Sequence, residues 1–345
     1  MTSMKAVTFA NFGAPSVLQA TVIERPEPGP DDVLVRIHAA GVCYHDVLSR
    51  GGRIPGGEPN RVLGHEIAGE IVETGANVSA ERKGERVVIY QRLYCGQCRY
   101  CLSGRQDLCR NSRVLGESGG GGYAEFTCAP ARNVIRMPDG LDMKSAALAV
   151  CPVGTSVRAT LGVAQVEPGQ TVLITGAGGG LGLHQIQVAK SVNAHVIAVT
   201  SSKEKAEIVS RAGADEVIVS PDLKFSGEVW RRTGKQGVDV VLENVVSNTF
   251  GECLRSTAQN AIVVVLGNIA AKRVEIDPGL IITRRIRIAG SGNATYKDVR
   301  IALHLLATGA VRPFIGAVLP FPRVSEGHAM MEQREVVGRV VLSGW

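Results

Sequence analysis

The sequence predicts an α/β protein with two domains, one β-rich and one built on a doubly wound parallel sheet. At 345 residues the chain is longer than one ordinary hydrophobic core accommodates. The first half contains apolar strand candidates punctuated by Gly and Pro, at 33–39, 67–72 and 86–89. From residue 168 onward short apolar strands alternate with helical stretches, and after about Asn293 the pattern becomes irregular again. We therefore expect one domain over 1–152 and 294–345 and a second over 153–293.

The alternating region predicts its elements in order, since each short apolar run is followed by a helical stretch. We expect strands at 171–175, 195–199, 216–219, 238–242 and 261–266, with helices at 181–191 and 206–211. A helix at 299–306 and a last strand at 338–342 are expected beyond them.

Composition excludes several classes of function. The net charge of +6 is modest, and no Lys/Arg block interleaved with aromatic residues indicates a nucleic-acid groove. The first ten residues have no apolar signal segment, and no apolar run is long enough to span a bilayer. We expect a cytoplasmic protein whose partner is a small-molecule substrate, without nucleic acid or membrane. In a reducing cytoplasm, clustered cysteines among the eight point to metal rather than to disulfides.

The densest cysteine cluster lies in a polar, loop-like stretch at 95–109. Its members follow the spacing Cys-x2-Cys-x2-Cys-x7-Cys: Cys95, Cys98, Cys101 and Cys109. Four thiolates can close a tetrahedron around zinc with no position left for water or substrate, so such a site is structural. An iron–sulfur cluster uses similar ligands, but nothing else in the chain resembles an electron-transfer protein.

A second set of candidate metal ligands is dispersed along the chain. Cys43 and Asp46 follow the first long strand, His65 and Glu66 lie about twenty residues later, and Cys151 lies where the pattern changes to α/β. Singly, each residue fits an ordinary buried role. Together they offer the mixed S, N and O donors of a catalytic zinc that keeps one position open for a substrate oxygen.

A glycine-rich turn follows the strand at 171–175 and opens the helix at 181–191. Glycines in this context let the backbone approach a pyrophosphate that sits at the positive end of the helix. Gly179 and Gly182 match the second and third glycines of the dinucleotide fingerprint, with Ala177 in the first place. The cofactor-binding residues expected in the turn are Gly176, Ala177, Gly179, Gly180, Leu181 and Gly182.

The tip of the next strand favours NADP(H) over NAD(H). An NAD enzyme usually has Asp or Glu there to hold the ribose 2′-hydroxyl, but this chain has Thr200, Ser201 and Ser202, followed by Lys203 and Lys205. A 2′-phosphate would find hydroxyl donors and the positive charge of Lys205. The alternative is that Ser201 caps the following helix while the lysines are solvated.

These motifs resemble the zinc-containing medium-chain alcohol dehydrogenases, in the right order and over essentially the whole chain. The resemblance implies a GroES-like catalytic domain and a Rossmann domain, two zinc ions per subunit, and a cleft between the domains. It implies that Cys43, His65 and Cys151 bind the catalytic zinc, that Glu66 is the carboxylate beside it, and that Asp46 orients the ligating His.

The resemblance extends to the cofactor loops and to assembly. It implies nicotinamide-flanking roles for residues that follow strands: Asn244, Val245, Gly267, Asn268 and Ser291. It also implies that Arg339 reaches the cofactor phosphate, and that the chain forms a homodimer or homotetramer through a segment around 286–289.

One position departs from the family pattern. Where the family commonly has Ser or Thr to pass a proton outward, the chain has His45, and Leu48 stands where a further relay His is often found. His45 titrates near neutrality and could carry the proton, pair with a carboxylate, or line the pocket.

Three functions remain open at this stage. The first is interconversion of an alcohol and an aldehyde or ketone by hydride transfer. The second is reduction of a conjugated C=C bond, because Cys43 to Asp46, the glycine turn and 200–205 also resemble the acryloyl-coenzyme A reductase subgroup. The third is a non-catalytic NADPH-binding structural protein, which the full set of open-site ligands argues against.

Overall fold

The computed structural model describes residues 2–55, 57–118, 120–267 and 272–345. They divide into two units. The first comprises the chain up to Cys151 together with Thr295–Ala307 and Ile315–Trp345, and the second comprises Pro152–Ala294 and Thr308–Phe314. No helix among the described residues is long and apolar enough to cross a membrane.

The strands of both units are numbered in chain order: β1 (Ser3–Thr8), β2 (Gln19–Glu24), β3 (Asp32–Val42), β4 (Glu66–Thr74), β5 (Arg86–Ile89), β6 (Arg92–Leu93), β7 (Arg113–Val114), β8 (Phe126–Pro130), β9 (Val134–Arg136), β10 (Thr171–Ile174), β11 (His195–Thr200), β12 (Glu216–Val219), β13 (Val238–Glu243), β14 (Thr257–Val265), β15 (Arg287–Gly290), β16 (Ile315–Leu319) and β17 (Arg339–Leu342). The α-helices are α1 (Tyr44–Arg50), α2 (Arg99–Leu102), α3 (Met143–Ala147), α4 (Gly154–Val157), α5 (Gly182–Lys190), α6 (Lys203–Arg211), α7 (Ser226–Arg232), α8 (Phe250–Ser256), α9 (Pro278–Arg284), α10 (Tyr296–Ala307) and α11 (Val324–Gln333).

The first unit is built on a sheet in the order β16-β17-β3-β4-β5-β9, with β8 also paired to β3. The long strand β3 is almost wholly buried, as its run of Val, Leu, Ile and Ala predicts. Its register sets Gly41 opposite Glu66 of β4 and Val42 opposite Val340 of β17. The carboxyl end of β3 therefore lies between the start of β4 and the start of β17.

The second unit contains the predicted parallel sheet, in the order β12-β11-β10-β13-β14-β15. Every neighbouring pair is parallel, and the buried faces of the central strands consist of Val, Leu and Ile. Strands β10 and β13 are adjacent although the chain first runs outward from β10 to β12. This reversal of strand order makes a crevice at the carboxyl ends of β10 and β13, where ligands of such sheets bind.

Candidate functional site

The four-cysteine lobe is compact in the structure. The ligand atoms of Cys95, Cys98, Cys101 and Cys109 all lie within 4.8 Å of one another. The Sγ–Sγ distance is 3.5 Å between Cys98 and Cys101, 3.6 Å between Cys95 and Cys109, and 3.9 Å between Cys95 and Cys101. A tetrahedron with zinc–sulfur bonds of about 2.3 Å requires sulfur atoms roughly 3.8 Å apart, so this donor set fits zinc. Hydrogen bonds from the backbone of Gln97 and Cys98 lower the pKa of Cys95 to about 6, which favours the thiolate that binds metal.

The second metal set is assembled by two neighbouring strands and a π-helical segment. Cys43 follows β3 and caps α1, while His65 and Glu66 stand at the start of β4. Cys151 lies in a π-helical segment, Ala149–Val153, and its Sγ is 3.9 Å from that of Cys43. The ligand atoms of these four residues lie within 4.8 Å of one another. The structure therefore brings together residues separated by up to 108 positions.

Gly41 makes room for the carboxylate of this set. A Cβ atom at Gly41 would lie 2.0 Å from Oε2 of Glu66, so only glycine permits Glu66 to lie across β3. Glu66 is fully buried, and this burial raises its pKa to about 7 although the neighbouring Arg339 opposes the shift. The set therefore combines two thiols, an imidazole and a carboxyl, which fits a zinc site with mixed ligands.

Asp46 holds the imidazole of this set in place. Its Oδ1 lies 3.0 Å from Nδ1 of His65, and its Oδ2 accepts the backbone N–H of Cys43 at 3.1 Å. Burial raises the pKa of Asp46, but the charge and hydrogen bond of His65 outweigh this and bring the pKa below its ordinary value. Because Nδ1 is engaged by a carboxylate, Nε2 of His65 is the atom left to bind a metal.

Two buried residues extend this hydrogen-bond chain, and the sequence analysis missed both. Tyr123 Oη donates to Asp46 Oδ2 at 3.0 Å and lies 3.3 Å from Nε2 of His328. The hydroxyl has one proton, which goes to Asp46, so Nε2 of His328 donates to the hydroxyl oxygen. The glycine run 120–122 before Tyr123 hinted at a close backbone approach. His328 is a single histidine within the helix α11, and nothing around it in the sequence indicates that it belongs to this hydrogen-bond chain.

Arg339 lies beside the candidate metal set. Its side chain is 9% exposed, and it donates to Glu66 through Nη2 at 2.6 Å and through Nε at 3.2 Å. Nη2 also lies 3.7 Å and 3.8 Å from the sulfur atoms of Cys43 and Cys151. The expected role of Arg339 at a cofactor phosphate stays a prediction beside this contact. The start of β17 next to β3 directs the guanidinium into the candidate metal set.

His45 pairs with a carboxylate that the sequence analysis did not identify. Its Nε2 hydrogen-bonds Oε1 of Glu117, and this bond raises the pKa of His45. The imidazole is 40% exposed, and its ring centroid lies 5.8 Å from that of His65. Three roles were open to His45: carrying a proton, pairing with a carboxylate or lining the pocket. The structure shows the pair with Glu117, on the solvent-exposed side of the candidate metal set.

The glycine turn has the geometry of a phosphate cradle. Gly176 has a φ of +57°, and a Cβ on Gly182 would lie 2.7 Å from the backbone of Ala177. A Cβ on Gly178 would meet the aliphatic stem of Lys205, so this lysine lies over the turn. Gly179, Gly180 and Leu181 lie in the same turn, before α5 begins. Close approaches of this kind require glycine and are typical of a turn that binds a dinucleotide pyrophosphate.

The segment 201–205, which follows β11, contains one carboxylate, that of Glu204. Thr200 is buried, Ser202 is the N-cap residue of α6 in place of the expected Ser201, and the hydroxyl of Ser202 donates to Glu204 at 2.5 Å. Glu204 thus adds a negative charge beside the hydroxyls and lysines of this segment, and the preference for NADP(H) stays a prediction. The sequence pattern did not predict this hydrogen bond between Ser202 and Glu204.

The expected nicotinamide-flanking residues lie at the carboxyl ends of β13, β14 and β15. Asn244 and Val245 follow β13, and Gly267 comes so near Asn244 that a Cβ would lie 2.3 Å from its carbonyl oxygen. Ser291 is buried, and its Oγ has no hydrogen-bond partner among the described residues. An orphaned buried hydroxyl at this edge of the sheet fits a site that binds a polar ligand. Asn268 lies outside the described residues.

Comparisons with known proteins agree with this architecture. Residues 29–139 match the model of the alcohol dehydrogenase GroES-like domain, and residues 180–308 match that of the zinc-binding dehydrogenase. The chain is 33% identical to the acryloyl-coenzyme A reductase of Metallosphaera sedula, over 93% of this chain and 95% of that protein. It is 32% identical to a NAD-dependent alcohol dehydrogenase of Sulfolobus acidocaldarius, over 98% of this chain and 99% of that protein. The crystal structure of AibC, 43% identical, superposes with a TM-score of 0.95 over 99% of this chain and 96% of the other.

A GroES-like unit and a Rossmann unit of this kind define an oxidoreductase. The chain belongs to the medium-chain dehydrogenase/reductase family and is an enzyme of its zinc-binding dehydrogenase group. The predicted fold class and the family resemblance are thereby confirmed.

Proposed function

We propose that this enzyme is a zinc-dependent oxidoreductase that interconverts an alcohol and an aldehyde or ketone with NADP(H). The observation that carries the proposal is the convergence of Cys43, His65, Glu66 and Cys151, with ligand atoms within 4.8 Å of one another. When bound there, zinc would act as a Lewis acid on a substrate oxygen. A second zinc held by the four-cysteine lobe would be structural.

The chain's own residues prepare that site. Asp46 fixes the tautomer of His65, which keeps Nε2 aimed at the metal position. Arg339 holds the carboxylate of Glu66 and places positive charge beside the thiol sulfurs. A nicotinamide bound by the second unit would supply the hydride for a carbonyl carbon, and the carbonyl oxygen would then need a proton. The His45–Glu117 pair is the candidate path for that proton.

The cofactor preference rests on Thr200 and Lys205. Thr200 leaves the strand tip without a carboxylate of its own, and the stem of Lys205 lies against Gly178 of the glycine turn. A lysine above the turn favours the extra phosphate of NADP(H), while Glu204 works against it. We propose that Lys205 outweighs Glu204, because Ser202 already occupies one oxygen of that carboxylate.

A second candidate function is reduction of a conjugated enoyl thioester. In that reaction the hydride goes to the β-carbon and a proton goes to the α-carbon. Two observations favour it: the name of the M. sedula relative, and the presence of the His45–Glu117 pair where alcohol dehydrogenases commonly have a hydroxyl. An imidazole next to a carboxylate could also contact a charged part of a large acyl carrier.

The position of a deuterium label separates the two candidates. Zinc-loaded enzyme is given NADPH deuterated at the transferred position, with a panel of aldehydes, ketones and enoyl thioesters. Deuterium on a carbinol carbon supports the first function, and deuterium on the β-carbon of a saturated thioester supports the second. Cys43→Ser should abolish both, whereas Cys128→Ser, outside both cysteine sets, should not. No turnover by zinc-loaded wild type would contradict both proposals and favour a non-catalytic role.

We also propose that the enzyme assembles as a homodimer or homotetramer through the edge of the second unit. Strand β15 is the edge strand of the parallel sheet, Ile288 on it is 41% exposed, and Ile282 of α9 is 74% exposed. Exposed apolar residues on an edge strand are suited to pairing with a second copy. Ile288→Lys should lower the mass measured by sedimentation, and an unchanged mass would contradict the assignment.

A further inference from the structure

A fully buried carboxylate, Glu243, stands at the last position of β13. Its Oε1 accepts hydrogen bonds from the hydroxyls of Thr175 at 2.6 Å and Thr249 at 3.0 Å. The same oxygen accepts the backbone N–H groups of Val245 at 2.7 Å and Val246 at 2.9 Å. A buried charge is stable only when it is well compensated, and these donors supply that compensation.

The thiol of Cys253 completes the arrangement, since its Sγ lies 2.6 Å from Oε2 of Glu243. Cys253 is fully buried in α8, and its pKa is held well above the ordinary value by burial and by Glu243. It therefore remains a thiol and donates. Glu243 consequently receives donors from the glycine turn, from the loop after β13 and from α8.

The loop that Glu243 organises carries backbone strain. Val246 has a φ of +68°, in the left-handed region that β-branched residues rarely adopt. Its side chain is buried in the core of the second unit, and its N–H is held by Glu243. Strain of this kind persists only where the surroundings enforce it. The hydrogen bond to Glu243 is one such constraint.

The same loop is attached to the glycine turn. Asn244 donates through its backbone N–H to Oγ1 of Thr175 at 3.0 Å and through its side chain to the carbonyl of Thr175 at 2.8 Å. The side-chain amides of Asn244 and Gln185 in α5 also exchange two hydrogen bonds. Asn244 Nδ2 donates to Gln185 Oε1 at 2.7 Å, and Gln185 Nε2 donates to Asn244 Oδ1 at 3.2 Å. The side chain of Val245 lies 3.1 Å from the position a Cβ would take on Gly176. Glu243, Thr175 and Asn244 thus fix the spacing between the two loops that flank the crevice at β10 and β13.

We propose that Glu243 is a positioning residue for the nicotinamide cofactor, which it does not touch. Its charge holds the 244–246 loop in a strained conformation against the glycine turn, and this preformed cradle sets the affinity for the dinucleotide. The inference rests on the proposed function in one respect, the binding of NADP(H) by the second unit. It adds a residue and a mechanism to that function.

The test is the dissociation constant of NADPH, measured from the fluorescence of the bound cofactor in zinc-loaded enzyme. Glu243→Gln keeps the shape but removes the charge, and ionised acceptors form hydrogen bonds about twice as strong as neutral ones. We expect the dissociation constant and the KM for NADPH to rise about tenfold, with a smaller change in kcat, because the cradle is lost rather than the chemistry. Thr249→Val, which removes one donor from the same oxygen, should raise the dissociation constant about threefold and serves if Glu243→Gln does not fold.

Glu252→Gln is the matched control. Glu252 lies on α8 of the same unit and accepts the backbone N–H groups of Phe225 and Ser226 at 2.8 Å and 2.7 Å, away from the 244–246 loop. Its loss should lower the melting temperature and leave the dissociation constant of NADPH within twofold. If Glu252→Gln weakens binding as much as Glu243→Gln does, general destabilisation explains the effect and the positioning role is overturned.

Rescue provides the second arm. Val246→Gly in the Glu243→Gln background should recover part of the affinity, because glycine adopts a positive φ without strain. No recovery would show that Glu243 does not act through the conformation of the loop, which overturns the inference. Wild-type affinity in Glu243→Gln would also overturn it while leaving the proposed function intact. Failure of wild-type enzyme to bind NADPH or NADH would instead overturn the proposed function itself.

Discussion

His328 should make the first unit lose stability in mild acid. The side chain is fully buried, its Nε2–H donates to Tyr123, and its Nδ1 has no hydrogen-bond partner among the described residues. Burial lowers its pKa to about 4, and Arg50 adds to the effect while Asp46 opposes it. The imidazole therefore stays neutral in the folded protein under conditions where it is protonated in the unfolded chain.

The sign and size of this pH effect on stability follow from the pKa of His328 in the folded and in the unfolded state. Above about pH 6.5 both states hold a neutral imidazole, so His328 adds no pH dependence. As the pH falls from about 6.5 towards about 4, only the unfolded state binds the proton, and the free energy of unfolding decreases. The loss should reach about 2 kcal/mol between pH 7 and pH 5 and about 3 kcal/mol below the folded-state pKa.

Urea unfolding followed by tryptophan fluorescence measures this loss. Trp345 stacks on Phe321 in the first unit, with ring centroids 5.0 Å apart, and a Trp230→Phe background leaves it as the reporter. His328→Gln keeps a donor for Tyr123 but cannot titrate, so it should remove about 2 kcal/mol of the difference between pH 7 and pH 5. His38→Gln is the control, because that side chain is 40% exposed. Equal pH dependence in wild type and His328→Gln would refute the reasoning.

Three further outcomes test the proposed chemistry. Elemental analysis should find two zinc ions per chain, and gentle chelation should remove one of them together with activity; a single zinc that survives Cys109→Ser would contradict the two-site interpretation. Thr200→Asp should reverse the preference from NADPH to NADH, by about ten- to a hundredfold, because the new carboxylate repels a 2′-phosphate and accepts a hydrogen bond from a 2′-hydroxyl. Equal use of both cofactors by wild type would contradict the strand-tip argument. His45→Ala should lower kcat about 100-fold without loss of zinc if it carries the proton, with Glu117→Gln giving a smaller decrease. A large rise in KM with unchanged kcat would instead assign His45 to substrate binding.

Local sequence patterns predicted much of the fold. The alternation after residue 168 predicted β10 to β14 in the right order, because buried parallel strands are apolar runs with helices between them. The strand at 86–89 matches β5 residue for residue. The glycine turn was predictable as well, because its physical requirement is local: the backbone must approach a ligand and a neighbouring segment closely.

Contacts made by distant segments could not be predicted in the same way. Tyr123 and His328 are 205 residues apart, and nothing in either neighbourhood indicates that they share a hydrogen bond. Nothing near Arg339 in the sequence indicates its contact with Glu66, which the pairing of β17 with β3 creates. Glu243 lies one residue beyond the strand expected at 238–242, and nothing in the sequence pattern gave it a role. Buried polar groups of this kind are specified by their partners, and those partners are apparent only in three dimensions.

The position of β17 in the sheet constrains the order in which the two units can fold during synthesis. Arg339 lies 296 residues after Cys43 and 273 after Glu66, yet its guanidinium contacts both, and β17 fills the place in the sheet beside β3. While the chain is being synthesised, the sheet of the first unit stays open along β3 until residues 339–342 emerge. The sequence from Pro152 to Ala294 is complete by then and can fold first. The four candidate metal ligands are therefore synthesised long before the guanidinium that holds Glu66, and this carboxylate gains its buried ion-pair partner only when β17 pairs with β3.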